Sequence, residues 1–240
     1  MKKHIHFIGV KGVGMAPLAI IAKEAGYTVS GCDIDQEFIT DTTLKKSDIT
    51  PSIGFSTEHL TDVDMVITTG AHGGFDNPEV KEAKNRGLSV LTQGEAVGLF
   101  MDGGILHKKG LIGVSVAGTH GKTTTTAMIA TILKYCGADP SFIVGTSDIP
   151  SLGNAGHFGR GKYYLFFIQP FRQLHRFFMH LALRPALQDE KLDVGLRSPG
   201  RLQLDGEFHI HRGFVVLFQL FEDATHALSQ RRGTQCHIQA

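Results

Sequence analysis

Six consecutive residues, Gly118-Thr119-His120-Gly121-Lys122-Thr123, carry the strongest chemical signal in the sequence. Two glycines let the backbone come close to a ligand, and a helix opening at the end of the segment aims unpaired N–H groups at it. The segment is therefore an anion cradle. Lys122 adds a point charge able to reach terminal phosphates, and the Thr123 hydroxyl is placed to ligate a magnesium ion bridging them. The ligand this chemistry predicts is a nucleoside triphosphate with Mg2+. The general phosphate-loop pattern wants a small residue where Val116 stands, so the motif is a shortened variant.

A second glycine-rich stretch, Gly9-Val10-Lys11-Gly12-Val13-Gly14, follows an apolar run from His4 to Ile8. A further run, Thr28 to Cys32, delivers Asp33 at its end, where an acidic side chain in a nucleotide-binding α/β unit accepts hydrogen bonds from a sugar hydroxyl. The glycines run G-x-x-G-x-G and not G-x-G-x-x-G. Both a nucleotide site and a plain tight turn followed by an exposed Asp stay open on these residues alone. His209-x-His211 places two rings on one strand face, as in some zinc sites, but no third ligand is evident and a solvated pair is the expectation. His4 and His6 share a face in the same way and are expected to pack or to face solvent.

The elements that must position these residues are legible from periodicity. Leu111 to Ala117 is a short β-branched run suited to a buried strand, and Met128, Ile129, Ile132 and Leu133 recur at helical spacing, so strand, loop and helix follow in order. That helix is predicted to end near Tyr135, with Gly137 as cap and Pro140 as stop. Earlier in the chain, Met15 to Ala25 is predicted helical, with Pro17 in its first turn and Gly26 as cap. A short helix near Glu37 to Lys46 and a turn at Pro51 to Gly54 come next. Met65 to Thr69 and Leu88 to Leu91 read as strands. A helix between them is predicted to be capped by Asp76 with Glu79 three residues on. Gln93 to Met101 is predicted helical, Asp102 to Gly110 reads as a hinge, Ser141 to Val144 as a strand, and Leu152 to Lys162 as a Gly-rich loop. The fold class is α/β.

Bulk properties narrow the field further. With 240 residues, 24 basic and 23 acidic side chains, the chain has room for one large or two modest domains and no net field toward nucleic acid or an anionic membrane. Cys32, Cys136 and Cys236 stand far apart and in no metal-ligand spacing, which points to free thiols in a reducing compartment. The apolar run after the basic start breaks at Gly9 and Lys11, too soon for a signal peptide, and no stretch has membrane-spanning length. A cytoplasmic protein without membrane insertion is the expectation.

The composition changes abruptly after Lys162. Up to that residue there are 13 Lys and 2 Arg, whereas beyond it there are 1 Lys and 8 Arg, together with 9 of the 16 Phe. One continuous domain seldom shows such a shift, so residues 163–240 are expected to be an out-of-register or replaced segment of unknown fold. Phe214 to Phe221 is the one stretch there that reads as a strand.

Taken together, His4-Ile5-His6-Phe7-Ile8-Gly9-x-x-Gly12-x-Gly14-Met15, Asn77-Pro78-Glu79-Val80, Gly94-Glu95 and above all Ala117-Gly118-Thr119-His120-Gly121-Lys122-Thr123-Thr124-Thr125 resemble the Mur ligases over residues 1 to about 162. The resemblance implies a Rossmann-like domain over 1–102 holding a UDP-sugar, followed over 103–162 by the start of a P-loop ATPase-type α/β domain. It implies transfer of the ATP γ-phosphate to the carboxylate of UDP-N-acetylmuramate, then displacement of phosphate by the amine of L-alanine or a peptide. Gly118, Thr119, His120, Gly121, Lys122, Thr123 and Thr124 would hold ATP, with Lys122 catalytic and Thr123 on Mg2+. Gly12, Val13, Gly14, Met15, Asp33 and His72 would face the UDP-sugar.

The departures point the other way. Where such ligases carry an acidic, metal-binding motif, this sequence has Tyr163-Tyr164-Leu165-Phe166-Phe167-Ile168-Gln169-Pro170, and Gln93 replaces a basic residue. Impaired turnover is the corresponding expectation, and a non-catalytic module binding a UDP-sugar and ATP is the alternative. A nicotinamide-dependent dehydrogenase would use Gly12, Gly14 and Asp33 but leave Lys122 and Thr123 without a role.

Overall fold

The computed structural model describes residues 3–104, 107–118, 120–167 and 214–219. β1 (His4–Ile8), β2 (Thr28–Asp33), β3 (Ser52–Ile53), β4 (Met65–Thr68) and β5 (Ser89–Thr92) form an all-parallel sheet in the order β3-β2-β1-β4-β5. α1 (Ala16–Glu24) joins β1 to β2, α2 (Asp41–Lys46) joins β2 to β3, and α3 (Pro78–Asn85) joins β4 to β5. In such a sheet the strand order reverses beside β1. The crevice beyond the carboxyl ends of β1 and β4 is where open parallel sheets take their ligands.

The second sheet runs β10-β6-β9-β7-β8, built from β6 (Ile112–Gly118), β7 (Ser141–Ile143), β8 (Gly156–His157), β9 (Tyr163–Phe167) and β10 (Phe214–Gln219). All its pairings are parallel except β7 with β8. α5 (Lys122–Tyr135) covers one face, where Val114, Phe142 and Leu165 meet Ala127, Ala130 and Leu133. The other face carries Ile143, Tyr164 and Phe166 into the cluster that holds Ile5, Phe7, Leu18, Ile20 and Ile21 of the first unit.

That shared cluster explains why Ala16 through Ala22 of α1 are all buried: over these residues the helix has apolar neighbours from both sheets, and only its last turn, Lys23 and Glu24, reaches solvent. Each fully buried Leu or Ile there contributes about 1.5–3 kcal/mol. Gly26, at φ +98°, ends α1 in a conformation that other residues rarely adopt. Lys23 reaches from its last turn to the carbonyls of Ser47 and Asp48, both at 2.7 Å, placing a cation where α2 ends. Polar ties join the same surfaces: Thr43 and Lys46 of α2 bind Asp148, and Asn154 donates to Ser47 at 3.0 Å. Glu24 accepts from Phe158 N–H and pairs with His157 at 3.0 Å. Lys108, in the stretch read as a hinge, donates to the carbonyls of Gly159 and Gly161.

Several elements differ from their sequence-based expectations. The helix expected from Glu37 begins only at Asp41, because the Thr40 hydroxyl is buried and bonded to the Lys11 carbonyl, and Asp41 accepts from Phe38 N–H at 2.8 Å. The turn expected at Pro51 to Gly54 contains the short strand β3, and the loop expected over Leu152 to Lys162 contains β8.

Asp76 does not cap α3. It ends a 3-10 turn at Gly74–Asp76, and Asn77 takes over the cap, accepting from Glu79 N–H at 2.9 Å. The cause is Pro78, which drives the residue before it out of the helical region; Asn77 sits at ψ 136°. Glu79 is thereby freed from capping. α4 (Gln93–Met101) carries the full reciprocal cap instead, from Thr92 and Glu95.

β9 continues the second sheet through Phe167, so the compositional break at Tyr163 falls where an integrated strand begins. Phe214–Gln219 is a strand as read, paired in parallel with β6; His209 and His211 lie outside the described residues. Among the described residues no helix is long and apolar enough to cross a membrane, and Cys32 and Cys136 are free thiols.

Candidate functional site

The loop between β1 and α1 lies at the carboxyl edge of the first sheet, beside the strand-order reversal. Gly9, at φ +77°, bends the chain so that its own N–H and that of Val10 both donate to the Cys32 carbonyl, at 2.9 and 3.1 Å. A Cβ on Gly9 would collide with the Thr69 side chain, and one on Gly14 would come within 2.7 Å of Gln93 Nε2. Glycine is therefore demanded at position 9 by both φ and space, whereas at position 14 a side chain would have to displace the end of Gln93. Gly12, Val13 and Gly14 remain half-exposed and lead straight into the first turn of α1. Met15 does not: its side chain is 3% exposed and packs into the apolar cluster, leaving its backbone as the part at the loop.

Asp33 and His72 join this loop in an unexpected way. Asp33 is 1% exposed, and its carboxylate accepts from Lys11 N–H and Ile34 N–H, both at 2.8 Å, while His72 Nε2 lies 3.3 Å from it. Its oxygens are engaged by the protein, so its geometry is that of a brace beneath the loop. Lys11 is buried too; its ammonium is bound by the carbonyls of Ile34 and Gln36. His72 occupies the left-handed region at φ 53°, half-buried, its ring 5.4 Å from that of Phe55. Gln93 donates to the Gly14 carbonyl at 3.4 Å, tying α4 to the same rim.

The second loop joins β6 to α5. Gly121 stands at the helix N-cap in the left-handed region, φ 74°, a conformation glycine adopts without penalty. Lys122 is the first helical residue, and the helix closes with Thr125 N–H on the Gly121 carbonyl at 2.8 Å. His120, Gly121 and Thr124 are exposed; Lys122 and Thr123 are half-buried. Thr126 is buried, its hydroxyl bonded to the Lys122 carbonyl at 2.9 Å. Thr119 lies outside the described residues, as does the environment of Gly118 beyond its place in β6. β9 runs parallel to β6 with Phe167 opposite Val116, so it ends alongside this loop. Among the described residues β9 supplies Tyr, Tyr, Leu, Phe and Phe there, and no carboxylate.

A third constellation escaped the sequence. On the face of the first sheet under α3, Glu79 is fully buried and accepts from His6 Nε2 at 3.0 Å, Cys32 Sγ at 3.2 Å, His59 Nδ1 at 2.8 Å and Ser56 N–H at 2.7 Å. Burial pushes the Glu79 carboxyl up, but the bonds from His6, Cys32 and His59 outweigh it and hold it below the usual carboxylate range. Burial first, then the Glu79 charge, push the Cys32 thiol up. His6, expected to pack or to face solvent, is buried, and its Nδ1 is hydrogen-bonded to Ser30 Oγ, which it shares with His4. The Asn77-Pro78 pair was the available signal that Glu79 is turned inward.

Residues 4–104 match the Mur ligase family, catalytic domain. The UDP-N-acetylmuramate--L-alanine ligase of Desulfitobacterium hafniense is 39% identical over 166 residues, covering 69% of this chain and 35% of that protein. The protein of the same name from Acetivibrio thermocellus is 37% identical over 195 residues, 80% of this chain and 39% of the other. The chain thus spans about a third of the length of the curated relatives it matches. Among solved structures, UDP-N-acetylmuramate-alanine ligase from Thermotoga maritima superposes with TM-score 0.58 at 31% identity, covering 68% of this chain and 37% of that one. UDP-N-acetylmuramate:L-alanyl-gamma-D-glutamyl-meso-diaminopimelate ligase from Neisseria meningitides gives 0.57 at 32%, covering 70% and 52%.

Proposed function

The chain belongs to the Mur ligase family, its match centred on residues 4–104, and from that premise we propose that its two glycine-rich loops hold the two nucleotides of an amide-forming ligase. The observation that carries this is Gly121 in the left-handed region as N-cap of α5, directly after β6, with Lys122 opening the helix. Backbone N–H groups and the helix dipole meet at that helix start, and the Lys122 ammonium would add its charge there, which suits the β- and γ-phosphates of ATP. The loop from Gly12 to Met15, at the strand-order reversal, takes the pyrophosphate of UDP-N-acetylmuramate through its backbone. Asp33 positions that loop, and His72 faces the same crevice.

The reaction assigned to the complete site joins L-alanine, or a peptide, to UDP-N-acetylmuramate. The muramate carboxylate attacks the γ-phosphorus and ADP leaves, giving an acyl phosphate. The amine then adds to the acyl carbon, and expulsion of inorganic phosphate leaves the amide. Such a transfer needs alignment and charge neutralisation more than covalent help from the protein. Lys122 and the Gly118 to Thr124 backbone supply both to the phosphoryl oxygens. Mg2+ would add charge neutralisation at the phosphates, and Thr123 would hold it. The donor set fits this ion only in part, because magnesium sites usually add a carboxylate and none lies on the described part of β9. Residues 1–102 would thus carry the UDP-sugar half and 103–162 the start of the ATP half.

The absence of a carboxylate on the described part of β9 favours one alternative, a module that binds both nucleotides without transfer. Phosphate release from ATP, measured with UDP-N-acetylmuramate and L-alanine, separates the two. Release dependent on both substrates supports the ligase. Binding of both nucleotides without release supports the module, and binding of neither overturns both.

A further inference from the structure

We propose that His6, Cys32, His59 and Glu79 form a closed, four-coordinate site for a divalent metal of the zinc type, on the sheet face opposite α1. The four donors come from four separate elements: β1, β2, the 3-10 turn at Thr57–Leu60 and α3. Their ligand atoms all lie within 4.8 Å of one another. Tetrahedral zinc, with bonds of about 2.0–2.3 Å to nitrogen, oxygen and sulfur, needs donors roughly 3.3–3.8 Å apart. Glu79 Oε2 lies 3.0 Å from His6 Nε2 and 3.2 Å from Cys32 Sγ, and its Oε1 lies 2.8 Å from His59 Nδ1, so small shifts of the side chains, with the His59 ring moving toward Oε2, open the space for an ion.

The chemistry of the set is selective. Two imidazoles, a thiol and a carboxylate suit a borderline-soft ion and not the oxygen-seeking magnesium or calcium. On binding, the Cys32 thiol loses its proton to solvent and the imidazoles bind as neutral rings. Thiolate and carboxylate then supply two negative charges against two positive ones, so the filled site is neutral where the surroundings are apolar. Those surroundings are Ile8, Leu60, Val63, Val66, Val80 and Ala83. His59 is 21% exposed and gives the ion a way in, while the side chains of His6 and Glu79 are 1% and 0% exposed.

Outer partners are already in place. Ser30 Oγ lies 2.8 Å from His6 Nδ1 and turns Nε2 toward the centre, and Ser56 N–H holds the second Glu79 oxygen at 2.7 Å. Metal-binding histidines are oriented by such bonds on their other nitrogen. With all four positions filled by protein, the role is structural. The ion would fix the end of β2, whose Cys32 carbonyl receives Gly9 and Val10 N–H, and so stiffen the glycine loop from behind.

The test uses the full chain and two probes, Zn2+ and Co2+, with no nucleotide present. A single equivalent of zinc retained through dialysis is expected. Cobalt should give visible bands of tetrahedral intensity with a thiolate charge-transfer band in the near ultraviolet. Cys32→Ser should abolish that band, Cys136→Ser should leave it, and Ser30→Ala should weaken affinity about 10- to 100-fold. Circular dichroism of each variant confirms that it is folded, and wild-type zinc retention stands as a test independent of any variant. No stoichiometric retention by the wild type, or a charge-transfer band that survives Cys32→Ser or vanishes in Cys136→Ser, overturns the proposal in favour of a purely hydrogen-bonded network.

Discussion

Replacing Asp33 with asparagine separates a brace from a ligand contact. The carboxylate is buried and receives Lys11 N–H and Ile34 N–H, one on each oxygen, both at 2.8 Å. Asparagine has the same shape but one oxygen, so its NH2 must face one of these two backbone donors. One charge-assisted bond, worth about 1.5–3 kcal/mol, is lost, and a buried N–H is left without an acceptor at a further cost of about 1–3 kcal/mol. Allowing for overlap between the two, the expected loss is about 3 kcal/mol, which in a chain of this size lowers the melting temperature by roughly 6–12 °C. Urea and thermal unfolding of the nucleotide-free protein, followed by far-ultraviolet circular dichroism, measure this directly. Affinity for UDP-N-acetylmuramate should fall as well, because the loop above loses its support. If Asp33→Asn unfolds within about 0.5 kcal/mol of the parent while UDP-sugar affinity alone drops, the carboxylate faces the ligand and the bracing role is refuted.

Two further outcomes follow from buried polar groups. The Tyr164 hydroxyl is fully buried without a hydrogen-bond partner among the described residues, so Tyr164→Phe should raise stability by about 1 kcal/mol, read as a higher urea midpoint at constant slope. The Glu24 carboxylate, and after it Asp139, hold the His157 pKa above its ordinary 6.5 against the opposing effect of burial. A group whose folded pKa is raised stabilises fully below the unfolded value and loses that contribution as pH rises through the folded one. Unfolding measured below and above 6.5 should therefore show His157→Gln closing part of the gap to wild type as pH increases, and a constant difference would exclude this linkage.

Much of the scaffold was legible because it follows from local rules. β1 was bounded by the apolar run His4 to Ile8, α1 by Pro17 and Gly26, and α5 by the glycine before Lys122 and the one after Cys136. The two glycine loops were found because tight turns at helix starts demand glycine at the sequence level. What the sequence did not reveal was how individual side chains are held. Asp33 looked like a sugar ligand because its position at the end of β2 is visible in sequence, whereas its bonds to Lys11 and Ile34 depend on how Gly9 folds the loop back. Met15 looked like part of the loop, but the start of α1 turns its side chain into the core.

Apart from the Asn77-Pro78 pair ahead of Glu79, the His6–Cys32–His59–Glu79 cluster had no sequence signature. His6 and Glu79 are 73 residues apart, and only the parallel register, with His6 opposite Ser30 and Ile8 opposite Cys32, brings β1 and β2 to the same face beneath α3. Glu79 was further disguised by looking like the second half of a capping box. The Asn77-Pro78 pair supplies the cap locally and leaves the glutamate to a tertiary role.

The most direct test of the nucleotide-binding assignment is calorimetric titration of the full chain with ATP, with and without magnesium, for wild type and Lys122→Ala. The loop at Gly118 to Thr124 predicts a saturable, magnesium-dependent binding event. Loss of the ammonium should weaken it about 10- to 100-fold while leaving UDP-N-acetylmuramate binding in place. Absence of magnesium-dependent ATP binding in the wild type, or an affinity unchanged by Lys122→Ala, would contradict it.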